Sequence, residues 1–115
     1  MAKRVVVTGM GVISPIGNDV PTFWNNLVNG VCGIDYIQEF PTENLPVRIA
    51  GKVKDFHPEN YGMDKGFSRK QDLFTQYGVA AAYEAMNQAG LIAEGEGQNI
   101  DPFRLGVYVG SGIGG

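Results

Sequence analysis

An α/β domain built on a parallel sheet is what this sequence predicts, and three observations predict it. Residues 5–7 are three consecutive valines that run into Thr8-Gly9-Met10-Gly11. Arg104-Leu105-Gly106-Val107-Tyr108-Val109 repeats that pattern ahead of Gly110-Ser111-Gly112, and helical apolar spacing fills two of the stretches between. Strands that are apolar on both faces, rather than alternating, are the mark of a parallel sheet covered by helices. Side by side, the two strands would send both glycine loops to the C-terminal edge, where open α/β sheets hold their ligands.

The elements follow in order. After the first strand, Asn18 or Asp19 caps a helix whose apolar residues Val20, Phe23, Trp24, Leu27 and Val28 recur at one-face spacing until Asn29-Gly30 ends it. That bulk needs a cover, so Phe23 and Trp24 are expected in the core. Between residues 31 and 46 the periodicity disappears while Gly33, Pro41 and Pro46 punctuate the run, which reads as a surface excursion. Val47-Arg48-Ile49-Ala50-Gly51-Lys52-Val53 alternates and reads as a short extended edge segment, whereas residues 55–67 read as irregular.

Ser68-Arg69-Lys70-Gln71 has the spacing of a capping box, predicting a helix from there to about Ala89, stopped by Gly90. The inner positions of this helix, among them Ala81, Ala85 and Ala89, are small enough for a neighbouring backbone to come close. Gly78 in its middle costs about 1 kcal/mol of helix propensity against alanine, a loss that close packing would offset. Residues 92–102 are polar and read as an exposed connection.

The chain has 115 residues, 43% of them hydrophobic, which suits one globular domain and no more. Its 9 Lys and Arg against 12 Asp and Glu leave a net charge of -3, so no electrostatic footprint for nucleic acid or an anionic membrane surface is present. No apolar run approaches the roughly 18 residues of a membrane span. Basic Lys3 and Arg4 ahead of the valines resemble the start of a secretory signal, but Gly9, Gly11 and Pro15 break the apolar stretch and no cleavage site follows. With Cys32 alone, no internal disulfide forms; a reducing cytoplasm is the expected location.

Several chemistries fail on spacing. A dinucleotide fingerprint requires a third glycine where Ser14 stands, a phosphate loop requires Gly-Lys-Ser/Thr, and Gly110-Ser111-Gly112 lacks the flanking positions of a hydrolase nucleophile elbow. One cysteine, one histidine and no carboxylate cluster argue against a metal, and no cofactor is expected. Cys32 and His57 are the only conceivable thiol and base pair, yet both lie in irregular segments. The one local charge feature is Lys65, Arg69 and Lys70 near the start of the long helix, a solvated face or a docking patch for an acidic partner.

Taken together, Val5-Val6-Val7-Thr8-Gly9-Met10-Gly11, Ser14-Pro15-Ile16-Gly17-Asn18, Val47-Arg48-Ile49-Ala50-Gly51, Val53-Lys54-Asp55-Phe56, Arg69-Lys70-Gln71-Asp72-Leu73-Phe74-Thr75-Gln76-Tyr77 and Val109-Gly110-Ser111-Gly112-Ile113-Gly114-Gly115 resemble the β-ketoacyl-acyl-carrier-protein synthases of type II fatty-acid elongation. The resemblance covers the entire chain. It implies the N-terminal part of a thiolase-like fold, an incomplete parallel or mixed sheet with flanking helices, cut before the catalytic cysteine.

The activity so implied is a decarboxylating Claisen condensation carried by a Cys-His-His set that lies beyond the final glycine motif, so neither Cys32 nor His57 inherits a role. What the resemblance does place here is a wall of the acyl-chain pocket at Ile113, with Gly110, Gly112 and Gly114 leaving room around it. It also places a basic neighbourhood at Lys65, Arg69 and Lys70 that receives the acidic acyl carrier protein. Its other implied partners are the remainder of the synthase chain and, in the full enzyme, a second copy as a homodimer. A non-catalytic chain-length-factor-like subunit and a small stand-alone binding module are the alternative readings. If the chain is such an N-terminal part, two strands and two helices cannot cover both sides of a parallel sheet, and a sizeable apolar surface is expected to stay open, whereas a compact monomer would favour the stand-alone module.

Overall fold

The computed structural model describes residues 2–91 and 100–115 of the chain. The first helix, α1, runs Val20–Val28, as its spacing predicts. Asp19 is its N-cap, with Oδ1 accepting a hydrogen bond from the Thr22 N–H at 2.7 Å, and Pro21 stands in the first turn, where no backbone donor is missed. Gly30, at φ 70°, ends it in the left-handed region.

A hairpin-like ribbon follows. Strand β1, Ile34–Tyr36, pairs antiparallel with β2, Ile49–Gly51, in the register Ile34 to Gly51 and Tyr36 to Ile49. The second strand lies inside the segment read as extended; the first falls in the stretch read as a surface excursion. Three residues are too few for a periodicity to declare itself.

Residues 55–67 are not irregular, as their sequence suggested. A 3-10 helix, Pro58–Tyr61, is followed by a short helix α2, Lys65–Ser68, capped by Asp64 Oδ1 accepting from the Phe67 N–H at 2.7 Å. The long helix α3 then runs Leu73–Gln88 from an N-cap at Asp72. The capping box at Ser68 is therefore corrected: Ser68 closes α2, its hydroxyl donating back to the Lys65 carbonyl at 3.4 Å. The C-terminal end agrees with expectation, Gly90 at φ 75° ending the helix.

The packed part of the molecule lies where the 3-10 helix meets α3. Ala80 and Met63 are its buried apolar residues and Gln76 its buried polar one. Around them Phe56 stacks on Tyr61 with centroids 5.6 Å apart, meets Tyr77 edge-on at 4.9 Å, and Tyr61 meets Tyr83 edge-on at 6.3 Å.

On the other flank of α3 the N-terminal segment crosses the helix in near contact. A Cβ on Gly9 would sit 2.0 Å from the Ala85 carbonyl oxygen, and one on Gly11 would sit 1.8 Å from that of Ala81. This is the close approach that the small residues Ala81, Ala85 and Ala89 permit. Gly78 has no such neighbour: a Cβ there meets nothing within 4 Å, so the offset expected from packing is absent.

The segment is held by side chains of α3 rather than by a strand partner. Gln88 Oε1 accepts from the Met10 N–H at 2.7 Å, and the two oxygens of Glu84 accept from the N–H groups of Val12 at 3.0 Å and Val20 at 2.7 Å. One carboxylate thus joins the N-terminal segment and the first residue of α1 to the same turn of α3. The Ser14-Pro15-Ile16-Gly17-Asn18 motif is a clip in the same region. Ser14 and Gly17 exchange backbone bonds of 2.9 and 3.3 Å, and Asn18 Nδ2 donates to the Lys54 carbonyl at 2.6 Å.

The two valine-rich segments depart from expectation. Among the described residues neither is in a ladder: Val5 is 93% exposed and Val107 83%. The sheet of the described residues is the β1–β2 pair alone. A parallel strand needs neighbours far away in sequence, and the described chain supplies none to either segment. Trp24, expected in the core, is 61% exposed for the same want of a cover. The open apolar surface is correspondingly large. The chain exposes 9569 Å², against about 6,100 Å² for a compact monomer of this size. Its radius of gyration is 17.5 Å, where a compact chain of this length has about 13 Å.

Candidate functional site

Two features that lie 40 residues apart in sequence meet at the N-terminal end of α3. The first is the basic turn. Lys65 opens α2, Arg69 is its C-cap, Lys70 follows, and all three are exposed. Arg69 therefore stands at a helix C-terminus, the end at which a cation is favoured. The turn closes through the Lys70 N–H to the Phe67 carbonyl at 3.0 Å.

The second feature is the glycine loop of residues 110–115, which folds back to α3. Gly114 is at φ 91°, a conformation suited to glycine, and a Cβ on it would lie 3.5 Å from Phe74 Cζ. A Cβ on Gly115 would lie 2.8 Å from Asp72 Oδ2, at the helix N-cap. The loop's end thus abuts the first turn of α3, two residues after Lys70. Gly110 and Gly112 have open space on the side where a Cβ would project, and Ile113 is fully exposed.

An apolar cleft of about 540 Å³ opens on the same helix start. Its lining includes Phe40, Ala50, Val53, Leu73 and Tyr77. Lys52 and Glu39 form an ion pair at its edge, and the ammonium holds the Glu39 carboxyl below its usual range.

Cys32 and His57 have separate surroundings. Cys32 is exposed, with Sγ 3.7 Å from the Ile34 carbonyl oxygen, and His57 Nδ1 lies 3.7 Å from Glu59 Oε1. Among the described residues no group of three or more His, Cys, Asp or Glu is placed to hold a metal ion. Among them, too, no helix is long and apolar enough to cross a membrane. Of the polar stretch 92–102, read as an exposed connection, residues 92–99 lie outside the described residues, and a 3-10 helix, Pro102–Arg104, starts at its end and takes in Arg104 of the predicted second strand.

Gln76 escaped the sequence reading. It is 8% exposed, and its Nε2 donates to the carbonyls of Ser68 and Gln71, both at 2.9 Å. The available signal was an amide one turn into a helix whose neighbouring positions are aromatic.

The β-ketoacyl synthase N-terminal domain profile matches residues 2–115, and the chain belongs to that family. Among its relatives, the 3-oxoacyl-[acyl-carrier-protein] synthase 2 of Staphylococcus aureus strain COL is 50% identical over 114 residues, which is 98% of this chain and 26% of the relative. The synthase 2 of Vibrio cholerae is 49% identical over 113 residues, again 98% of this chain and 26% of the relative. The solved ishigamide ketosynthase/chain length factor matches with a TM-score of 0.66 at 37% identity, over 75% of this chain and 21% of its own. The thiolase-like α/β class expected from the sequence is therefore borne out. The chain spans about a quarter of the length of the curated relatives it matches, at 26%.

Proposed function

We propose that this chain is the N-terminal part of a 3-oxoacyl-[acyl-carrier-protein] synthase that extends fatty acyl chains by decarboxylating Claisen condensation. The observation that carries the reading is the family match over residues 2–115, joined to 50% identity with a synthase 2 along 98% of the chain. In that reaction an acyl group passes from its carrier thioester to a cysteine thiolate. Malonyl carrier protein then loses carbon dioxide, and the resulting carbanion attacks the acyl-cysteine thioester, releasing the thiolate and a 3-oxoacyl carrier protein. The reacting cysteine and the two histidines that stabilise the developing charge belong to sequence beyond Gly115.

Within this scheme the chain supplies scaffold and two surfaces. Ile113 lines the acyl pocket, with Gly110, Gly112 and Gly114 giving it room; Lys65, Arg69 and Lys70 receive the carrier protein. What supports joining them is their meeting at the start of α3, where Gly114 and Gly115 lie against Phe74 and Asp72. Charge at such a surface chiefly aids encounter and orientation. A cytoplasmic homodimer completes the proposal.

The full-length enzyme tests both surfaces. Ile113→Phe shortens the preferred acyl chain, read from product lengths; an unchanged profile overturns the pocket assignment. Arg69→Glu with Lys70→Glu raises the apparent KM for carrier protein about ten-fold at low salt and less at high salt. Indifference to both substitutions removes the docking assignment.

The likeness to a ketosynthase/chain length factor pair favours one second reading, a partner subunit without the nucleophile. Radiolabelled acyl carrier protein separates the two: transfer of the label to a cysteine of the full-length chain supports the synthase, and its absence supports the partner subunit.

A further inference from the structure

We infer that Gln76 is a positioning residue for carrier-protein recognition, fixing the turn that presents Arg69 and Lys70. The inference rests on the docking role proposed for those two residues.

Among the described residues Gln76 is the only buried polar side chain, and it makes no ion pair. It projects from α3 back to the preceding turn. Both hydrogens of its side-chain amide are used, one on the Ser68 carbonyl and one on the Gln71 carbonyl, each at 2.9 Å. Those two carbonyls bracket Arg69 and Lys70 on either side. The turn has little else to hold it. Its backbone bonds are the Arg69 N–H to the Lys65 carbonyl at 3.2 Å, the Lys70 N–H to the Phe67 carbonyl at 3.0 Å and the Gln71 N–H to the Ser68 carbonyl at 3.4 Å, all of them local.

α2 has four residues, too short to be stable by itself. Arg69 and Lys70 make no ion pair among the described residues, so the placement of their backbone is what presents their charges. Gln76 thus adds, to the local bonds of α2 and its turn, the tie that makes them one platform with α3. A pre-ordered platform spares the partner the cost of ordering the loop on binding.

The test uses the full-length synthase with two substrate sets, thioesters borne by carrier protein and the same acyl and malonyl groups on free pantetheine. Gln76→Met keeps the volume and removes both donors; Gln76→Asn, which keeps an uncharged amide but withdraws it by one methylene, serves should the methionine variant fail to fold. The expected result is a rise of about five-fold in KM for carrier-borne substrate, the equivalent of one to two lost hydrogen bonds. The value of kcat and the kinetics with pantetheine substrates stay unchanged, and amide exchange at Lys70 and Gln71 quickens.

Joined to Arg69→Glu and Lys70→Glu, Gln76→Met adds less than about two-fold, because both act on one interaction. If the charge reversals raise KM and the Gln76 variants do not, the positioning role falls while docking stands. If the charge reversals themselves have no effect, docking fails and takes this inference with it. Equal loss with carrier-borne and pantetheine substrates also overturns it, marking Gln76 as part of the general scaffold.

Discussion

The two flanks of α3 and the two ends of the chain obey different rules. Against α3, the segment of residues 9–20 and the 55–64 region are stitched by polar bonds and stacked rings, from Glu84 to the Phe56, Tyr61 and Tyr83 cluster. At the ends, residues 5–7 and 107–109 hold the most β-prone sequence in the molecule and have no strand neighbour among the described residues. High strand propensity does not make a strand. A helix satisfies its own backbone, and a carboxylate reaching an N–H needs one partner, whereas a parallel strand requires another strand on at least one side.

This contrast can be broken in four ways, here from the largest expected effect to the smallest. Gly11→Val drives a side chain into the Ala81 carbonyl, 1.8 Å from where its Cβ would stand, and costs more than about 4 kcal/mol, seen as loss of the cooperative urea transition. Glu84→Gln leaves a single carbonyl oxygen for two N–H groups and costs about 2 kcal/mol in the same measurement.

Tyr61→Phe removes the bond its hydroxyl donates to the Asn18 carbonyl at 2.9 Å, worth about 1 kcal/mol. It also changes a pH dependence. Burial, reinforced by the negative charges of Glu84 and Asp19, raises the Tyr61 phenol above its ordinary value. The folded state therefore keeps the proton after the unfolded state has lost it, and stability falls as pH rises past about 10. Phenylalanine removes the Tyr61 share of that decline, and an unaltered slope would show that the phenol titrates normally. Smallest of all, Val6→Asp and Val107→Asp change stability by less than about 0.5 kcal/mol, since both side chains already face solvent. A large loss at either valine would mean that the segments find partners in solution.

The contrast also explains what could be read from sequence. Boundaries set by local chemistry were legible: Asp19 starts α1 and Gly30 ends it, and Gly90 ends α3. The close passage over Ala81 and Ala85 was legible too, because small residues on an inner helix face have few other uses. Long-range features were not. The Ser68 capping box was a plausible local signal, overridden because Gln76 ties the Ser68 and Gln71 carbonyls and the helix begins only at Leu73. Strand β1 was hidden because Ile34, Asp35 and Tyr36 have no pattern without knowledge of their partners in β2. Of the candidate site, the basic residues and the glycine loop were visible separately; their meeting at Asp72 and Phe74 was not, since nothing in either stretch names the other.

The reach of Glu84 also has a consequence for the order of events during translation. Val12 and Val20 precede it by 72 and 64 residues, so they leave the ribosome well before their acceptor is made. At typical elongation rates that interval is about 3–14 s. For those seconds the N–H groups of Val12 and Val20 wait without the acceptor that the folded chain gives them.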